Sequence, residues 1–212
     1  MSRPSTTKAR IVRALALGLA VALLGLVAAP AGAAELEDER SPRVKVTGKK
    51  LKTSADEGTA DDPAIGKTAP ELIGLSLAGK KVTVGNDGEP RILVFLSHSC
   101  PHCQAEVPRI VELEQEGLLD GVEIDTIATN TSDQLPNWPP SEWLRDEDWP
   151  YSPVLADDER LRAFFAYGGE AFPYFVFVDA DGKVAGRVSG EIDPEVLALA
   201  AERLQAGRSL FG

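Results

Sequence analysis

The chain has two cysteines in 212 residues, and they stand three apart in Cys100-Pro101-His102-Cys103. On the first turn of a helix, residues i and i+3 share a face with their Cβ atoms about 5–6 Å apart. A small adjustment brings such sulfurs to bonding distance, so the pair can open and close as a disulfide without rebuilding the fold. Pro101 suits the first helical position, which leaves Cys100 just before the helix, at the positive end of its dipole. That place favours thiolate over thiol and makes Cys100 the nucleophile. Cys103, one turn inside, is shielded and resolves the mixed disulfide. A purely structural bridge closing so short a loop would contribute only roughly 2 kcal/mol, the weak end for disulfides. A zinc site would need further thiolates, and the two histidines, His98 and His102, crowd the same turn.

Three other positions bear on this chemistry. His102 lies between the cysteines, where its ring favours the Cys100 thiolate; stabilising the reduced form makes the disulfide a better oxidant. The alternative is an exposed histidine paired with Glu106 at i+4. His98 either lines the approach to the site or ends a strand. Glu106 follows Cys103 by three, on the same helical face, and a partly buried carboxylate there exchanges a proton with Cys103; an ordinary solvated glutamate is the plainer reading. Pro173, in Ala171-Phe172-Pro173-Tyr174, directly precedes an apolar run. It cannot donate to a sheet ladder, which points to a turn or a cis bond, unless it is a trans proline opening a strand.

The elements that must position these residues follow from the pattern. Arg91–Leu96 is a continuous apolar run, as expected of a strand buried on both faces. A helix is predicted from Pro101 to about Glu116, punctuated by Gly117 and Gly121. Val122–Thr129 reads as the next strand. Leu72–Leu77 and Lys81–Val84 flank a turn and form a small hairpin. A segment rich in Pro and Trp follows Gln134, with a short helix predicted over Ser141–Glu147. Trp138, Trp143 and Trp149 within it are expected to pack against the sheet. A strand over Ser152–Ala156, a helix opened by Asp157 and Asp158 and running through Tyr167, strands at Tyr174–Val178 and Lys183–Ser189, and a helix capped by Asp193 complete the series. Such alternation gives an α/β sandwich around a central mixed sheet.

The N-terminal 34 residues are of another kind. Arg3, Lys8, Arg10 and Arg13 precede an uncharged run from Ala14 to Ala29, and small residues close the segment at Ala31-Gly32-Ala33. This describes a secretory signal peptide. A 16-residue run spans about 24 Å as a helix, short of the roughly 30 Å hydrocarbon core. Extended through Ala34 it has the length of a membrane anchor, so a tether is the alternative to cleavage. Removing it takes four basic residues and no acid, leaving 18 Lys+Arg against 33 Asp+Glu and a net charge of −15. Such a surface repels nucleic acid and anionic lipid. Residues 35–62 are charged and poor in large apolar side chains, the composition of a flexible acidic linker, with a short strand allowed at Arg43–Thr47. The domain proper is expected over 63–207.

Together these residues resemble the thioredoxin superfamily, and within it the exported TlpA/ResA-like branch, over about Ile65 to Arg203. The most specific stretch is Cys100-Pro-His-Cys103-Gln-Ala-Glu106-Val-Pro108, beside Ile65-Gly66-Lys67-Thr68-Ala69-Pro70 and Phe172-Pro173. The resemblance implies a thioredoxin-like three-layer sandwich with an N-terminal hairpin and a central insertion. It implies that Cys100 attacks, Cys103 resolves and Glu106 is the active-site acid. Pro173 would be cis and face the cysteines, with Phe172 lending backbone hydrogen bonds to an extended substrate. Val94 and Ser99 depart from the family's pattern, and Pro101-His102 is the dipeptide associated with strongly oxidising DsbA proteins. The implied function is extracytoplasmic thiol–disulfide exchange with exported cysteine-containing proteins, needing no cofactor or metal and drawing on a membrane redox partner. The branch favours a reductase and the dipeptide an oxidase. A Cu(I)-binding module of the cell envelope, using the soft thiolates, and a thiol peroxidase are the readings from other classes.

Overall fold

A computed structural model describes residues 44–211. The leader at 1–34 and the first part of the acidic stretch, to residue 43, lie outside the described residues.

The central sheet has five strands in the order β6-β5-β4-β7-β8: β4 (Arg91–Leu96), β5 (Glu123–Ala128), β6 (Leu155–Ala156), β7 (Tyr174–Val178) and β8 (Val184–Ser189). β4, β5 and β6 run parallel; on the other side of β4, β7 runs antiparallel to it and β8 antiparallel to β7. β4 is the middle strand, and all six of its residues are buried, which is why it reads as an unbroken apolar run. Its side chains alternate between two cores. Ile92, Val94 and Leu96 join Phe175 and Phe177 of β7 on one face, under α1 (Pro101–Gln115) and α4 (Pro194–Gln205). Leu93 and Phe95 join Tyr174, Val176 and Val178 on the other, under α3 (Arg162–Ala166). Helices on both faces of a mixed sheet make the predicted three-layer sandwich. A second sheet, β1 (Lys45–Thr47), β2 (Glu71–Leu75) and β3 (Lys81–Val84), contains the predicted hairpin with Leu72 opposite Val84.

Local chemistry fixes the helix starts. Pro101 occupies the first turn of α1 after an extended Cys100. Pro194 does the same for α4, where the Asp193 carboxylate accepts the Glu195 N–H at 2.9 Å. The short α2 (Pro140–Asp146) lies in the insertion between β5 and β6. Trp143 is buried, the indole N–H of Trp149 donates to Thr126 at 3.0 Å, and Trp138 is half exposed. Two of the three tryptophans therefore pack as expected.

Three expectations are corrected. The helix predicted from Asp157 begins only at Arg162, because the chain first wraps around the Asp157 carboxylate. That carboxylate accepts N–H bonds from Asp158, Ala163 and Phe164 at 2.9–3.1 Å and the Thr129 hydroxyl at 3.0 Å. The strand predicted over 152–156 shrinks to Leu155–Ala156, since Pro153 has no N–H to donate. The linker is not free of the domain over 44–62. Val44 and Leu51 are buried, the Leu51 N–H donates to Ala166 at 2.8 Å, and β1 pairs with β2. At the end of this stretch Asp62 forms a two-pronged ion pair with Arg187 of β8, at 2.7 and 2.9 Å, with both side chains fully buried. The fold thus starts well before residue 63, and at its other end Leu210 packs on the core beyond residue 207. Among the described residues no helix is long and apolar enough to cross a membrane.

Candidate active site

The site lies where β4 ends and α1 begins. Ser97, His98 and Ser99 carry the chain from the buried strand to Cys100, which is half-buried at the N-terminus of α1 with no side chain capping the helix. No side chain therefore competes with the Cys100 sulfur for the free N–H groups of the first turn. That sulfur lies 3.6 Å from the Phe172 carbonyl oxygen, 72 residues away in sequence. The Phe172–Pro173 peptide is cis, and Pro173 is buried. The cysteine turn and the proline loop thus form one surface, with Cys100 at its centre. Phe172 is half-buried, its ring 4.4 Å from that of Phe164.

Cys103 is in a different environment. It is fully buried in the α1/α4 core, and the Ser97 N–H donates to its sulfur at 3.4 Å. Burial pushes its thiol well above the usual range, and the charges of Cys100 and Glu106 add to this. The two cysteines are not bonded to each other. One sulfur is reachable and sits on a helix terminus; the other is dry and held protonated.

Glu106 is buried too, at 1% exposure, so the solvated reading does not hold. Its Oε1 accepts the Ile192 N–H at 3.2 Å, and its Oε2 accepts from Arg109 at 3.4 Å. Desolvation raises its pKa, against the pull of these two donors. A carboxyl kept inside the core, one turn from a buried thiol, is suited to trading a proton with it.

The histidines divide. His102 is largely exposed and does not pair with Glu106; its Nδ1 lies 2.7 Å from Glu191 Oε1. His98 is completely buried. Its Nδ1 donates to the Pro136 carbonyl at 2.6 Å and its Nε2 accepts the Ser132 N–H at 3.2 Å, so the ring holds one proton in a fixed tautomer. The His98 carbonyl accepts from Gln104 and Asn137, both at 3.1 Å. His98 therefore fastens the insertion to the active-site turn. Each histidine is committed elsewhere than to the sulfurs, and among the described residues no three of His, Cys, Asp and Glu gather as a metal site.

Sequence reasoning missed the loop between β8 and α4. Three consecutive residues there touch three members of the site: the Gly190 N–H donates to the Pro173 carbonyl at 2.7 Å, Glu191 meets His102, and Ile192 meets Glu106. Gly190 has φ +89°, a conformation that favours glycine. The only local signal was a glycine shortly before a helix cap. Ser97, whose N–H reaches Cys103, was equally silent.

A protein-family profile described as a thioredoxin-like domain matches residues 77–205, more than half of the chain. Thiol-disulfide oxidoreductase ResA of Bacillus thuringiensis (strain Al Hakam) is 30% identical over 135 residues, 63% of this chain and 74% of that protein. Among solved structures, a thiol:disulfide interchange protein of the thioredoxin family from Chlorobium tepidum TLS aligns with a TM-score of 0.54 at 26% identity, covering 66% of this chain and 96% of that one. StoA from Bacillus subtilis aligns with a TM-score of 0.51 at 19% identity, covering 65% and 98%, a likeness of fold.

Proposed function

The chain belongs to the thioredoxin-like family as a thiol–disulfide oxidoreductase, and on that premise we propose that it reduces disulfides of exported proteins outside the cytoplasm. The Cys100 thiolate attacks one sulfur of a client disulfide, forming a mixed disulfide and releasing the other client sulfur as a thiolate. Cys103 then gives its proton to Glu106 and attacks Cys100. The mixed bond breaks, the second client sulfur leaves, and the Cys100–Cys103 disulfide forms. Two electrons have passed to the client, and an external dithiol reductant must return them; a membrane-borne donor is the natural source for a protein outside the cytoplasm. Phe172 and Pro173 would seat the extended client strand beside Cys100.

The observation that carries this reading is the contrast between the two sulfurs: Cys100 at a helix terminus beside the cis-proline loop, Cys103 buried with its proton retained. The extracytoplasmic location is supported by the basic, apolar and small-residue segments of residues 1–34. The opposite direction, disulfide formation, has the Pro101-His102 dipeptide in its favour. Against it, one ring nitrogen of His102 is paired with Glu191.

Trapping tests the reading. Cys103→Ala should accumulate mixed disulfides with client proteins in a non-reducing gel, all through Cys100, while Cys100→Ala accumulates none. Equal trapping by both variants, or by neither, would refute the division of labour.

A further inference from the structure

We propose that Glu191 is a positioning residue that matches the charge of His102 and so offsets the oxidising pull of Pro101-His102 on the Cys100 sulfur. This rests on the reading of Cys100 and Cys103 as the redox pair and adds to it a residue that sets the pair's potential.

The observations are geometric. Glu191 Oε1 lies 2.7 Å from His102 Nδ1, and Glu191 Oε2 lies 2.6 Å from Arg109 Nη1, which reaches on to Glu106 at 3.4 Å. A carboxylate only accepts, so His102 Nδ1 carries the hydrogen and the ring plane is fixed by Glu191. Among the described residues, Nε2 has no hydrogen-bond partner. His102 and Arg109 hold the Glu191 carboxyl below its usual range, so it stays ionised as a counter-charge.

The physical consequence concerns the field at Cys100. A lone imidazolium one residue from the Pro101 turn attracts the thiolate directly, which stabilises the reduced form and raises the potential. The same ring held against a carboxylate presents a dipole, whose field at a third group falls faster with distance. Any proton His102 gains is thus matched by Glu191. The carboxylate comes from the same three-residue loop that holds the Pro173 carbonyl and Glu106, so its place is fixed by the site it tunes.

The test is the equilibrium between reduced and oxidised protein in glutathione buffers at pH 6. Wild type, Glu191→Gln, His102→Ala and the double variant are compared. The Glu191→Gln substitution preserves an acceptor for Nδ1, the amide oxygen, and removes only the charge. We expect Glu191→Gln to shift the equilibrium about fivefold toward the dithiol, on the scale of an exposed ion pair, or ~20 mV less negative for a two-electron couple. In the His102→Ala background the same substitution should shift it less than about twofold. An unchanged or more negative potential for Glu191→Gln overturns the proposal. So does an equal shift in both backgrounds, which would assign the effect to Arg109. A wild-type protein that shows no reversible couple at all would instead bring down the redox reading on which the proposal stands.

Discussion

Glu106 is the residue at which chemistry and stability pull in opposite directions. Its carboxyl is buried, and desolvation raises its pKa in the folded protein. A raised folded value means that the native state binds the proton more tightly than the unfolded chain does. The stability this adds is fully present below the ordinary carboxylate range and is lost as pH rises through the raised value. The ionised group is therefore a burden on the fold at high pH, a cost that the proposed role of proton acceptor for Cys103 would account for. Glu106→Gln should melt at a higher temperature than wild type at pH 8, with the difference vanishing near pH 4. The same variant should resolve mixed disulfides roughly 10²-fold more slowly. Thermal melts at the two pH values and stopped-flow thiol release check both halves; a variant that melts lower at pH 8 contradicts the account. The sequence could place Glu106 on the helical face of Cys103, one turn away, but spacing alone did not tell a buried carboxyl from a solvated one. Glu191 was not legible, because its partners lie 89 and 82 residues away and nothing local distinguishes it from a surface glutamate.

At the scale of elements, a buried imidazole ties the first part of the insertion between β5 and β6 to the active-site turn. His98 offers a donor to Pro136 and an acceptor to Ser132, and its carbonyl takes Asn137, so one residue organises the loop from 132 to 137 beside the active-site turn. His98→Ala leaves the Pro136 carbonyl and the Ser132 N–H to water and should cost about 2 kcal/mol in denaturant unfolding. Amide exchange in 130–139 should quicken while α4 is unaffected; uniform exchange across the chain would show that His98 is an ordinary core residue. β4, α1 and α4 were readable from apolar runs and proline-marked helix starts, which are local signals. α3 was misplaced by five residues because Asp157 spends its carboxylate on N–H groups beyond a turn through Leu161, whose φ is +52°. A cap that reaches past its own sequence neighbours looks, in sequence, like a cap at the usual place.

For the molecule as a whole, the stretch at 44–62 shows why composition misleads. It carries few large apolar residues, yet Val44 and Leu51 are placed in the second core, and Asp62 is bound to Arg187 at a separation of 125 residues. Removing one partner from a pair so buried leaves an uncompensated charge, whose cost of about 3–5 kcal/mol exceeds that of most core truncations of a single methyl group. Val44 and Leu51 thus already belong to the fold, and the site rests on two cores and a strand, β4, that both cores share. On this frame the mechanism requires that Cys100 and Cys103 form one reversible couple at the end of β4. The direct measurement is the fraction of disulfide against the dithiothreitol and glutathione redox series, read by alkylation and mass spectrometry. The account predicts a single two-electron midpoint closer to about −270 mV than to about −120 mV, the ranges of reductants and oxidants respectively. A pair that never interconverts across the series, or a midpoint near the oxidant value, would contradict it.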